Sequence, residues 1–183
     1  EYKDLRDQLI ENSLDEDGVL SEESFLATIL PDLMEVKMID SEDIIFSYVD
    51  TVLDGYHLKI NGHTFNETRE RLQIFVVNDK TTSLNLKSED LFIKAKDDYQ
   101  SIFSSSLRFV KSSMKRHLEL HDSDSAGFLV QQLGNTDFIK DIEVIEIFLI
   151  SPSITVVTRG VTPSLKKMTF NDEELKILKQ NFH

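Results

Sequence analysis

Apolar positions along this chain change period several times, and the changes outline its elements. Tyr2, Leu5, Leu9 and Ile10 recur at helical spacing, so residues 1–12 are expected to form an amphipathic helix ending near the acidic turn Asp15-Glu16-Asp17-Gly18. Ser21 then stands before Glu22 and Glu23 as a helix cap with first-turn acids. Phe25, Leu26, Ile29, Leu30, Leu33 and Met34 follow as one apolar stripe, with Pro31 expected to bend the helix. The run from Ile44 to Val49 is rich in β-branched and aromatic residues, which predicts a strand leading through Asp50 and Thr51 into the stretch 53–80. There Asp54-Gly55 punctuates the chain, and Tyr56, Leu58 and Ile60 alternate with His57, Lys59 and Asn61. Leu72 to Val77 is apolar on both faces, so it belongs in the middle of a sheet, beyond a polar loop expected over residues 61–71.

A polar connection, TTSLNLK, precedes a long helical stripe. Ser88 would cap it, and Leu91, Phe92, Ala95, Tyr99, Ile102, Phe103, Leu107, Val110, Met114 and Leu118 carry it over residues 89–120, with a bend at Ser104-Ser105-Ser106. His121 to Asp124 stops it, and Phe128 to Leu133 reads as a shorter helix closed by Gly134-Asn135. Residues 142–150, 154–157 and 165–170 read as strands, and Asn171 opens a last helix. The order is α-α-β-β-β-α-α-β-β-β-α. It predicts an α/β (α+β) fold in which a mixed central sheet contains an antiparallel three-strand meander, a long crossover helix and a further strand, with flanking helices. That order is found in nuclease-like cores related to restriction enzymes. A single domain over 1–183 is expected, made of a helix and turn (1–20), a nuclease-like core (21–160) and a terminal strand and helix (161–183). A chain that starts at Glu1 and stops just after a helical pattern is expected to be the N-terminal part of a longer protein.

Composition narrows the function classes. The formal charge is −13, so the average field repels nucleic acid and anionic membrane and lends little support to nucleic acid as a partner. Without cysteine there are no disulfides, thiolate metal sites or thiol nucleophiles, in keeping with a cytoplasmic home. No apolar run approaches the ~20 residues that span a bilayer, and EYKDLRDQ lacks the features of a signal peptide.

The phrases SEESFLATIL, LDGYHLKI, ERLQIFVVND and DLFIKAKDDYQSIFSSSLRFV resemble the N-terminal domain of the AIPR family, proteins linked to abortive infection and phage resistance. The resemblance spans about residues 21–160 in order of elements. It implies a larger protein and kinship with the restriction-nuclease-like fold, whose active members converge carboxylates and a lysine on a magnesium ion. Asp54 matches the aspartate of the Asp-Gly pair that binds the metal in active nuclease relatives, while its own neighbours read it as capping the turn before Gly55. The following strand should end in an acid or amide with a lysine two positions on. Here Val76-Val77-Asn78 departs from that pattern, and a slide by two brings in Asn78 and Lys80, an amide in place of the carboxylate. The expectation is therefore a nuclease-like module that has lost its catalytic set, with no cofactor, serving assembly or regulation within its own longer chain or a homo-oligomer. The alternatives are a magnesium-dependent nuclease using Asp54 and Lys80, and a plain interaction or dimerisation domain.

Other candidate chemistry reads as structural. Residues 13–24 fit the calcium-loop offsets until the first and closing ligands, which are Ser13 and Ser24. Glu22 and Glu23 are explained by first-turn capping. His117 and His121 have zinc-compatible spacing on a predicted helix but no third ligand nearby in sequence. Arg108, Lys111, Lys115 and Arg116 make a basic face, the best place for a phosphate or an acidic partner.

Overall fold

The computed structural model describes residues 2–41, 43–78, 93–94, 96–121, 123–151 and 154–155. Four strands form one mixed sheet: β1 (Ile45–Leu53), β2 (Tyr56–Phe65), β3 (Arg71–Val77) and β5 (Val144–Ile150), in the order β1-β2-β3-β5. The first three run antiparallel as a meander, and β5 lies parallel to β3 from Arg71↔Val144 to Val77↔Ile150. A parallel neighbour requires a crossover, and α3 (Lys96–Met114) lies within it. The mixed α+β class and the meander are as the periodicity predicts.

Strand β3 occupies the centre because it can. Leu72 through Val77 are all buried, and only a strand covered on both faces hides six consecutive side chains. On one face Leu72 and Ile74 join Val49, Leu58 and Ile60 against Phe109 and Val110 of α3, and against Leu129 and Leu133 of α4 (Gly127–Leu133). On the other, Phe75 and Val77 meet Phe25, Leu26 and Leu30 of α2 (Glu22–Glu35), with Phe75 stacked on Phe148 at 5.3 Å. Each fully buried large side chain contributes roughly 1.5–3 kcal/mol, so these two layers dominate the fold's stability.

Helix α2 begins where its cap predicts, with Ser21 Oγ accepting from Ser24 N at 3.2 Å, and it runs through Pro31. Helix α1 (Tyr2–Glu11) is followed by a turn in which Asp15 Oδ1 accepts the Asp17 and Val19 amides, so this carboxylate serves the backbone.

Several expectations are corrected. The polar loop of residues 61–71 shrinks to 66–70, because Asn61, Gly62, His63 and Thr64 are strand residues. Each polar one finds a partner: Asn61 Oδ1 accepts from Val77 N, His63 Nδ1 lies 2.8 Å from Ser47 Oγ, and Thr64 Oγ1 donates to Asp43 O. A Cβ on Gly62 would come within 2.9 Å of Ile44 Cγ2 and 3.2 Å of Ile45 O, so glycine is what lets β1 approach. The long helix is shorter than its stripe: Ile93–Lys94 (β4) pairs in parallel with Ile154–Thr155 (β6), and the helix ends at Met114. Just beyond, Arg116 takes φ 57° and His117 N returns to Ser112 O, which closes the helix. After α4 the chain forms a further short helix, α5 (Thr136–Lys140), capped by Asn135, where the sequence suggested only a stop. The strand expected at 165–170, the helix from Asn171, the TTSLNLK connection and the Ser88 cap lie outside the described residues. Among the described residues no helix is long and apolar enough to cross a membrane.

Candidate functional site

At the end away from their connecting loop β2 and β3 part company. Their ladder is registered from Phe65↔Leu72 to Gly62↔Phe75. Beyond it the Asn61 side chain takes the place of a backbone acceptor, receiving the Val77 amide at 2.7 Å. Alternation along β2 sends Lys59 and Asn61 to the same side. That is the side of α2: Asn61 Nδ2 donates to Glu22 Oε2 at 2.6 Å, and Lys59 Nζ pairs with Glu22 Oε1. Asp50, directly across the ladder on β1, places Oδ2 3.7 Å from the same ammonium. Its Oδ1 lies 2.5 Å from His57 Nε2.

Four charged or polar groups from three elements thus converge: a carboxylate from the first turn of α2, a lysine and an amide from β2, and a carboxylate from β1. The Lys59 side chain is 3% exposed and the Glu22 side chain 13%, so the pair lies largely out of water, where an unpaired charge is costly. A further contact ties it down, as Ser106 Oγ of α3 donates to the Lys59 carbonyl at 2.8 Å. Ser106, one of the serines read as a bend, is instead a buried bridge between α3 and β2.

The residues singled out in the sequence fall elsewhere. Asp54 and Gly55 form the two-residue hairpin turn closed by Leu53↔Tyr56, with φ 50° and 79°. Positive φ at both positions is what a type I′ turn needs, and Asp-Gly supplies it. Asp54 is exposed at the tip and makes no ion pair among the described residues. It is four positions along β1 from Asp50, on the order of 13 Å away at strand rise. The aspartate therefore sits off the convergent cluster as a turn residue. Asp54→Gly should leave stability unchanged within about 0.5 kcal/mol, whereas Asp54→Val, β-branched at positive φ, should cost about 1–2 kcal/mol in urea unfolding.

Asn78 is buried at the end of β3, its amide N–H bonded to Ile150 O. Among the described residues its side-chain Nδ2 and Oδ1 have no hydrogen-bond partner. Lys80 lies outside the described residues. Of the basic face, Arg108 is placed over the Tyr56 ring at 5.1 Å and Arg116 Nε donates to Gly134 O at 2.7 Å, closing α4. Lys111 is in the last turn of α3, and Lys115 and Arg116 lie past its end. Arg108 and Arg116 thus have structural duties. His117 and His121 also lie past the end of α3, so they do not form a helical i, i+4 pair. Among the described residues no group of three or more His, Cys, Asp or Glu is placed to hold a metal ion.

Sequence reasoning missed Lys59, Asn61 and Asp50. A signal was available: a lysine and an asparagine alternating in register with buried Leu58 and Ile60 on a strand bound for the sheet interior must be matched by partners from a covering helix. Glu22 could be placed at a helix start but not opposite Lys59.

The donor set fits a divalent ion poorly. Both Glu22 oxygens already have partners in Lys59 and Asn61, and the Asn61 oxygen faces Val77 N–H. Compared with known protein families, with curated proteins and with solved structures, the chain matches none of them.

Proposed function

We propose that this chain is a non-catalytic, nuclease-like module of a bacterial phage-defence protein of the abortive-infection type, serving assembly or regulation in the cytoplasm. The order β1-β2-β3-β5, with an antiparallel meander and a parallel fourth strand reached through α3, supports the nuclease-like part of this reading. One observation carries the loss of catalysis. At the point where β2 and β3 separate, the helix-borne carboxylate Glu22 is occupied on both oxygens by groups of this chain. A magnesium-dependent hydrolase needs such carboxylates open to the ion and its waters. Its partners are the remainder of its own longer chain or further copies of itself.

The competing reading is a magnesium-dependent nuclease using Asp54 and Lys80. The observation in its favour is the orphaned Asn78 amide, two residues before Lys80, which leaves hydrogen-bonding capacity at the end of β3. Incubation of the wild-type chain and Asp54→Ala with DNA and RNA in magnesium or manganese separates the two. No cleavage by either protein is expected, and cleavage by wild type that disappears in the variant would overturn the non-catalytic reading.

A further inference from the structure

We infer that this chain associates head to tail with further copies of itself, the basic end of α3 in one copy docking on the acidic α1–α2 layer of the next. The inference names the surfaces behind the assembly role proposed above and rests on that part of the reading.

The charge is divided along the chain before it is divided in space. Residues 1–54 hold 16 of the 33 acidic residues and three of the 20 lysines and arginines, so this stretch carries the whole −13 and the remaining 129 residues balance. Within that remainder, residues 99–118 contain no acid and four cations, Arg108, Lys111, Lys115 and Arg116. The fold then puts the two stretches on opposite sides of the sheet. Helix α2, with α1 packed on it, covers the face of Phe75 and Val77, whereas α3 covers the face of Leu72 and Ile74. Buried Phe109, Val110 and Ser113 mark the inner side of α3, and Arg108, with Lys115 just past the helix end, is exposed on the outer side. Glu11, Glu16, Glu23, Asp32 and Glu35 are exposed on the other layer. None of these seven residues makes an ion pair among the described residues. Between the two outer surfaces lie the sheet and two helices, each about 10 Å across. That exceeds the Debye length of about 8 Å at physiological salt, so the two fields do not cancel inside one copy. Contact between copies brings them within ion-pair reach. Exposed Met114 beside Lys115, and exposed Val36 and Met38 beyond Glu35, give each surface apolar area to bury. Nucleic acid is the weaker occupant, because the acidic layer of every copy repels a polyanion and attracts the α3 cations of another copy. Since the two surfaces differ, the contact is heterologous and repeats from copy to copy unless it closes into a ring.

Sedimentation velocity of the full chain measures this. At an ionic strength of about 0.02 M the average mass should rise with concentration above the 21.1 kDa of one copy, and at about 0.5 M it should return to that value. The double variants Arg108→Glu/Lys115→Glu and Asp32→Lys/Glu35→Lys, all at exposed positions, should keep the wild-type circular dichroism spectrum, and each should weaken association about tenfold or more. An equimolar mixture of the two should associate again, since each supplies the charge that the other lacks. A monomer at both ionic strengths overturns the inference. So does association that survives about 0.5 M salt, that either variant leaves unchanged, or that the mixture fails to restore. Binding of a fluorescent DNA or RNA strand by a monomeric wild type, lost in Arg108→Glu/Lys115→Glu, would likewise overturn it and give the basic surface to nucleic acid. Cleavage of that strand in magnesium would refute the non-catalytic reading alone, and monomeric behaviour the head-to-tail contact alone, so the two failures are distinguishable.

Discussion

Glu22→Ala is expected to destabilise the folded chain by about 3 kcal/mol, among the largest effects of any polar substitution here. The variant leaves the buried Lys59 side chain with Asp50, at 3.7 Å, as its remaining ion-pair partner among the described residues, and strips Asn61 Nδ2 of its acceptor. Breaking one half of a buried pair costs roughly 3–5 kcal/mol because the surviving charge is neither hydrated nor matched. The residual Asp50 contact sets the figure at the low end. Replacing both partners by apolar groups, Glu22→Leu with Lys59→Met, should recover most of the loss, since the desolvation penalty disappears together with the attraction. Urea unfolding of the three proteins at pH 7 measures this. Equal midpoints for wild type and Glu22→Ala would mean that the pair is solvated in solution and that the cluster described here does not hold α2 to the sheet.

The second large effect is on pH dependence and arises from His63. Its ring is 1% exposed between Ser47 and Phe65, and burial pushes its pKa from 6.5 down to about 4. Nδ1 faces Ser47 Oγ at 2.8 Å, and among the described residues Nε2 has no partner, as suits a neutral imidazole protonated on Nδ1. The folded state therefore resists protonation while the unfolded chain accepts it near 6.5. Below that value the unfolded state binds more protons, so stability falls as pH drops from 6.5 toward 4 and is fully present above 6.5. At 1.36 kcal/mol per pH unit the loss between pH 7 and pH 5 is about 2 kcal/mol. Urea midpoints across that range should show it, and His63→Gln, which cannot titrate, should lose less than half as much. Parallel profiles for the two proteins would exclude His63 as the source.

Much of the fold is legible in the residues because short-range physics decides it. Ser21, Glu22 and the stripe from Phe25 to Leu33 announce α2, since a cap and an apolar face act within a few turns. Leu72 to Val77 announces a central strand because four consecutive apolar residues, Ile74 to Val77, put apolar side chains on both faces, which a half-exposed strand does not do. Misreadings occur where polar groups are satisfied at a distance. Asn61 to Thr64 looks like loop from its own chemistry, and only Val77, Ser47 and Asp43, which supply the partners, make it strand. The helical stripe past Met114 misleads in the same way. Leu118 is buried against the same core as Phe109 and Val110, but reaches it after the chain has turned at Arg116.

For the candidate site the division is sharper. By itself the sequence determined that the chain is acidic, free of cysteine, a mixture of helix and strand around one apolar central strand, and punctuated at Asp54-Gly55. These are properties of composition and of neighbours along the chain. It did not determine what Lys59 touches, because its partners Glu22 and Asp50 stand 37 and nine positions away. Only the register of β1 on β2 and the docking of α2 on the sheet bring them to one nitrogen. Electrostatic contacts act through a few ångströms of space whatever the separation along the chain, so the tertiary structure alone decided which of many carboxylates this lysine would neutralise.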